Sequence, residues 1–384
     1  MATPSRSTLA AILLVCSIGI FYVATLREGH VWGDDHAAYL SHTRNLVEGK
    51  AYGDIGYVRG ASSINPLMYP PVFPLLLAPV YHFFGANLTP MKIECTVFFC
   101  VALFFLYLLL REHGESISIA LITVAAVGLC PYFWDFKDSL YSDYPFLAFG
   151  FAALWLAGKA PLIRDSIRRE IPLGMLVGLL IGLAFGARTV GFILAPVIIL
   201  FDCWKARRIT SFGVAAGAVS LMVALGPSLA FHVKSDYLTP YKQTLSLHSL
   251  AASPIYYLKC FSVVWENGYS VAFQWVLYGL VTVLSLKGFW TRVRSGLSIL
   301  EVFCIAYFLF ICLFPWGGRR YLMPLLPFYF FYILFGLRSF TIDRPFALRV
   351  SLCGVMALLV SLTFLGRYSR HNWEEIGDKW KECG

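Results

Sequence analysis

Long apolar stretches alternate with shorter polar segments along the chain, and eleven of the stretches predict membrane-crossing helices by length and lack of charge. They run at 9–26, 93–110, 117–133, 144–157, 171–187, 190–201, 209–231, 269–286, 297–314, 321–337 and 346–365. A further apolar stretch, 69–84, opens Tyr69-Pro70-Pro71 and carries Pro74 and Pro79. Proline removes backbone donors and kinks a helix interior, so this segment is expected to lie along the membrane interface rather than cross it. The first stretch follows a single basic residue, Arg6, and is longer than a signal-peptide core of about 7–15 residues, which predicts a retained helix.

Charge then sets the sidedness, because cytosolic loops are enriched in Lys and Arg. With the N-terminus inside, the cytosolic segments hold 15 bases and 7 acids, whereas the outer segments hold 16 bases and 15 acids. Nearly the whole net charge of +9 is therefore cytosolic. Counting 69–84 as a span would invert every later loop and put the basic clusters outside. The expected molecule is a multi-pass protein of the cell (inner) membrane with a cytoplasmic N-terminus. It is a single all-α domain, 1–384, without a soluble domain, and its long first outer loop occupies 27–92.

Composition agrees: 58% of residues are hydrophobic and 14% charged, against about 25% charged in soluble domains. Mean hydropathy is +0.69, which excludes a cytosolic enzyme, a disordered chain and a nucleic-acid-binding module. Most of the ten cysteines fall inside apolar runs and read as small hydrophobes. Glu301 is the one clear acid inside a span, near a cytosolic end, and reads as a solvated or helix-capping group. Gly174, Gly178, Gly182 and Gly186 recur every fourth residue and predict close helix contact. No nucleotide-binding loop signature occurs.

Candidate chemistry is concentrated in the outer segments. Asp34-Asp35-His36 lies just outside the first membrane helix, and the stretch from Asp35 predicts a short helix ending at Gly49, with Ala38, Leu46 and Val47 as membrane-facing candidates. One carboxylate suffices to cap that helix, which leaves the other to accept a proton from an incoming nucleophile. Asp143 precedes Tyr144-Pro145 at the head of another helix. Its candidate roles are N-cap, acceptor positioning, or a share in a divalent cation site with Asp35 and His36. No cofactor is demanded by the spacing of these groups. Arg319-Arg320 and Arg188, at outer helix ends, can grip phosphate oxygens or anchor the helices at the interface, and Lys234 is a further candidate for the phosphate.

Several of these stretches resemble the GT-C fold glycosyltransferases that use polyprenyl-phosphate sugars, in particular the protein mannosyltransferase and aminoarabinose transferase branch. The resemblance lies in Asp35, Tyr39, Arg44-Asn45-Leu46 and Gly49; in Tyr69-Pro70-Pro71 with Phe84-Gly85-Ala86-Asn87; and in Ser142-Asp143-Tyr144-Pro145. It continues in Gly182-Leu183-Ala184 leading to Arg188, and in Arg319-Arg320-Tyr321-Leu322-Met323-Pro324. His36 stands where relatives often carry Glu, which leaves open whether Asp34 or Asp35 is the working acid.

The resemblance implies inverting transfer of a sugar on the extracytoplasmic face, with Asp35 as base. The donor would be a polyprenyl-phosphate-linked sugar. The acceptor would be a lipid, glycan or protein; membrane lipid surrounds the chain, and nucleic acid has no part. It also implies substrate contacts by Tyr39, Arg188, Arg319, Arg320 and Tyr321, to which the reading of the residues adds His36 and Lys234. The competing expectation is a polyprenyl-linked sugar flippase or transporter without catalysis, which would carry its ionisable groups near the bilayer midplane.

Overall fold

The computed structural model describes residues 5–30, 34–56, 66–164, 166–232, 246–266, 270–313, 317–341, 345–369 and 375–376. It is almost wholly helical. The helices are α1 (Arg6–Ala24), α2 (Asp34–Glu48), α3 (Val72–Phe84), α4 (Leu88–Glu112), α5 (Ile117–Gly128), α6 (Pro131–Phe136), α7 (Asp143–Ala157) and α8 (Ile167–Ala187). They continue with α9 (Leu194–Ala206), α10 (Ser211–Ala230), α11 (Leu247–Phe261), α12 (Val271–Ser295), α13 (Ile299–Leu313), α14 (Leu326–Thr341) and α15 (Phe346–Ser369).

Among the described residues, six of the eleven expected spans are helices long and apolar enough to cross a membrane, making this a multi-pass membrane protein. Of the other five, α10 carries an apolar stretch at 211–227 and four are shorter apolar helices; α7 and α13, at 15 residues each, extend about 22 Å of a roughly 30 Å hydrocarbon core. The run expected at 117–133 breaks after Gly128, because Cys130 precedes Pro131 and a residue before proline disfavours helical geometry. The 13 residues of α3 bury Val72, Phe73, Pro74 and Leu77 and leave Phe83 and Phe84 exposed.

Contacts divide the chain into two units. One comprises 15–112, 136–239 and 372–384. Its axis is the packing of α8 on α10: a Cβ at Gly174 or Gly178 would collide with the carbonyl oxygen of Phe212 or Ala216, and one at Gly186 with Val72 of α3. The glycine face thus brings backbones into contact as the spacing predicted. A two-residue parallel bridge pairs Glu28–Gly29 with Glu375–Ile376.

The other unit comprises 1–14, 113–135 and 240–371. Here α12 and α14 cross at Gly288 and Gly336. Glu301 is fully buried rather than solvated: Ser298 donates to it through its backbone N–H (3.0 Å) and hydroxyl (2.5 Å), and Tyr332 through its hydroxyl (3.0 Å). It therefore caps α13. Arg292 lies between Glu301 and Glu115, with its Nη1 2.7 Å from the Glu115 carboxylate. An apolar cavity of about 320 Å³ lies among α11, α12, α13 and α14, lined by Phe261, Phe289, Phe308, Phe328 and Tyr329 among others.

Candidate active site

The site is built in the unit 15–112, 136–239 and 372–384, and its foundation is α2. That helix starts at Asp34 and ends at Gly49, whose φ of 68° lies in the left-handed region glycine tolerates. Ala38, Tyr39, His42, Thr43 and Asn45 are buried, so Ala38 faces protein rather than the membrane. Tyr39 meets Phe73 edge-on at 4.9 Å and Tyr69 at 5.4 Å, which packs α2 against the head of α3. Asn45 donates its side-chain amide to the carbonyls of Ala51 (3.0 Å) and Asp54 (2.7 Å), closing the turn that follows. His42 stacks on Tyr52 with ring centroids 4.2 Å apart, its Nδ1 2.7 Å from the Tyr52 carbonyl. The Tyr52 hydroxyl in turn donates to the Tyr69 carbonyl at 3.0 Å.

This scaffold aims Tyr69 at Asp35: its hydroxyl donates to Asp35 Oδ1 at 3.0 Å. Two contacts then join α2 to the head of α7. The hydroxyls of Tyr39 and Ser142 are 3.0 Å apart, and His36 Nε2 is 3.2 Å from the Tyr141 hydroxyl with the rings at 4.2 Å. Ser142 occupies the cap position of α7, so Asp143 is the first helical residue rather than the N-cap. Its carboxylate is engaged by Arg188. Arg188 follows α8 in extended geometry (φ −151°, ψ 126°), where the helix gives way to a 3-10 turn, Thr189–Ile193. Asp35, His36, Tyr39, Asp143 and Arg188 are thereby brought into one linked constellation, with Tyr69, Tyr141 and Ser142 as connecting groups.

Sequence reasoning missed a second layer. His30 is buried, its ring 5.5 Å from that of His36. Its pKa is lowered to about 3, first by burial and then by the charges of His36 and Lys92, so His30 is neutral. Nearby, Asp138 accepts the backbone N–H of Arg27 (2.8 Å), the Arg27 Nε (2.7 Å) and the Lys137 ammonium (2.5 Å). Lys92 donates to the carbonyls of Arg27 and Gly29, each at 2.8 Å. Lys137-Asp138 is visible in the sequence as a charged pair between two apolar runs; its complete burial is not.

The remaining candidates lie elsewhere. Arg319, Arg320 and Tyr321 form a 3-10 turn, Arg319–Leu322, in the unit containing residues 240–371, with Arg319 exposed and Arg320 half-buried. The charge of Arg319 acts there on Tyr256 and Cys260 of α11, offsetting burial that pushes both groups up. Lys234 and the side chain of Asp34 lie outside the described residues. Among the described residues no group of three or more His, Cys, Asp or Glu is arranged to hold a metal ion.

Residues 68–231 match the family model for dolichyl-phosphate-mannose-protein mannosyltransferase. No curated protein gives a significant sequence match. Among solved structures, the archaeal oligosaccharyltransferase AglB from Archaeoglobus fulgidus, in complex with an inhibitory peptide and a dolichol-phosphate, superposes with a TM-score of 0.63 at 15% identity. That match covers 98% of this chain and 57% of the other. ArnT from Cupriavidus metallidurans, bound to undecaprenyl phosphate, gives 0.61 at 15% identity, covering 91% of this chain and 64% of that one. The Archaeoglobus fulgidus oligosaccharyltransferase has also been seen in complex with Zn and sulfate, at a TM-score of 0.62, 16% identity and coverage of 98% and 54%. This chain therefore spans less than two thirds of the length of each of these proteins. It is a multi-pass membrane protein with the GT-C fold, and its residues 68–231 match the family model for dolichyl-phosphate-mannose-protein mannosyltransferase.

Proposed function

We propose that the protein is an inverting glycosyltransferase that moves a sugar from a polyprenyl-phosphate donor to a hydroxyl or amine acceptor on the extracytoplasmic side of the cell membrane. The carrying observation is the Tyr69–Asp35 hydrogen bond, which orients a carboxylate at the head of α2 within a constellation that also holds the Asp143–Arg188 pair. In this reading the acceptor oxygen or nitrogen attacks the anomeric carbon while the bond to the phosphate oxygen breaks. The acceptor's proton passes to Asp35, and polyprenyl phosphate leaves. Tyr69 fixes the orientation of the base. Tyr39 and His36, through Ser142 and Tyr141, hold α2 in register with the head of α7.

The leaving phosphate carries its charge as the bond breaks, and fixed guanidinium groups stabilise that charge better than mobile solvent does. The resemblance assigns this role to Arg319 and Arg320, while Arg188 orients Asp143 within the constellation around Asp35. Transfer of labelled sugar from polyprenyl-phosphate donors by the purified protein in detergent tests the proposal, because transport cannot be scored without a sealed membrane. Failure across a panel of donors, coupled with movement of a lipid-linked sugar in vesicles, would favour the flippase reading.

A further inference from the structure

One end of the unit that carries the site gathers charge for which the transfer reaction has no use. There α8 begins, α9 ends and α10 begins, tied together by Asp202, which accepts from Arg164 (2.6 Å) and from the Thr210 hydroxyl (2.5 Å). Lys159 is likewise paired, with Glu112 at 2.8 Å. Five further cations, Arg168, Arg169, Lys205, Arg207 and Arg208, are exposed, and among the described residues none has a carboxylate partner.

Apolar side chains crowd the same end: Leu162 is 75% exposed, Ile167 63%, Trp204 56% and Ile209 80%. The Lys205 ammonium lies 4.8 Å from the Trp204 ring centre and 5.6 Å from that of Phe201. Aromatic rings flanked by long cationic side chains suit the boundary between acyl chains and headgroups, where stems lie in the apolar layer and charges reach outward. Arg207 adds an independent sign. It occupies the left-handed conformation (φ 53°) at the end of α9, a place glycine fills without steric cost, so a charged side chain stands where the backbone favours none.

We infer that this end of α8, α9 and α10 is a binding site for the phosphate headgroup of an anionic phospholipid in the cytosolic leaflet. The inference shares the sidedness of the proposed function but not its chemistry. The headgroup supplies an anion to these five exposed cations, and its acyl chains cover Leu162, Trp204 and Ile209. A free phosphate would leave those apolar side chains bare.

Native mass spectrometry of the full chain in a neutral detergent, titrated with phosphatidylglycerol or phosphatidylcholine, tests this. At least tenfold tighter retention of phosphatidylglycerol is expected, falling below threefold in Lys205→Gln/Arg207→Gln/Arg208→Gln, with millimolar inorganic phosphate unable to compete. Equal retention of the two lipids, unchanged preference in the folded triple variant, or displacement by inorganic phosphate would overturn it. Should the triple variant fail to fold, Arg207→Gly serves, since it relaxes the backbone. It is expected to hold or raise the melting temperature while weakening phosphatidylglycerol retention, and unchanged retention would overturn the inference. Loss of this site would leave sugar transfer in detergent intact, so the two readings fail separately.

Discussion

The guanidinium of Arg188 rests on the carboxylate of Asp143, with side-chain exposures of 8% and 3%, so the end of α8 and the head of α7 share a buried ion pair. Removing one member leaves the other charge without compensation, at a cost of about 3–5 kcal/mol. Arg188→Gln and Asp143→Asn should each lower the melting temperature of the purified protein. The double variant should lose less than the sum of the two, and strict additivity in this cycle would mean the pair is not coupled.

The contact between α8 and α10 depends on the absence of side chains at Gly174 and Gly178. Gly178→Val should force the two backbones apart and destabilise the fold by about 1–3 kcal/mol, the usual range for overpacking. Size-exclusion profiles and thermal unfolding in detergent check it. Gly226→Ala on α10, where a Cβ would meet open space, is the matched control and should be tolerated.

His42 gives the fold a pH dependence of known sign. Burial against Tyr52 lowers its pKa from 6.5 to about 4, so the unfolded chain takes up the proton first. Its stabilising contribution is fully present above pH 6.5 and is lost as pH falls toward 4. Melting temperature measured from pH 7.5 to 4 should decline through this window. The decline should be shallower in His42→Gln, and parallel curves would show that other groups carry it.

The fold class, the close α8 face and the C-terminal limit of α2 were readable from apolar spacing and glycine position. Pairings were not. Nothing in the sequence joins Tyr69 to Asp35 or Arg188 to Asp143, because these contacts cross 34 and 45 positions and depend on how α3 and α8 pack. The Arg27–Asp138–Lys137 network was hidden for a different reason. Charged residues in outer segments ordinarily face water, and pairing makes their burial tolerable here. Glu301 shows the same effect: of its two expected readings, solvated or helix-capping, the capping one holds, with four contacts within the protein.

For Arg319 and Arg320, phosphate recognition and membrane anchoring make different forecasts. Replacing both with Gln should weaken binding of bare polyprenyl phosphate as much as that of the sugar-loaded donor, by about 1.5–3 kcal/mol for each charged hydrogen bond. Titration of polyprenyl phosphate into the folded variant checks it. Unchanged affinity with a lowered melting temperature would assign the arginines to anchoring and move the clamp to Arg188 or Lys234.

The central claim is that Asp35, oriented by Tyr69, takes the acceptor's proton. It is tested most directly by following labelled sugar from a polyprenyl-phosphate donor to acceptor with the Asp35→Asn protein, alongside donor affinity measured on the same preparation. The account predicts transfer reduced at least a hundredfold, the usual scale of general base catalysis, with donor affinity within threefold of the unaltered protein and a much smaller effect of Asp34→Asn. Near-normal transfer by Asp35→Asn would contradict it.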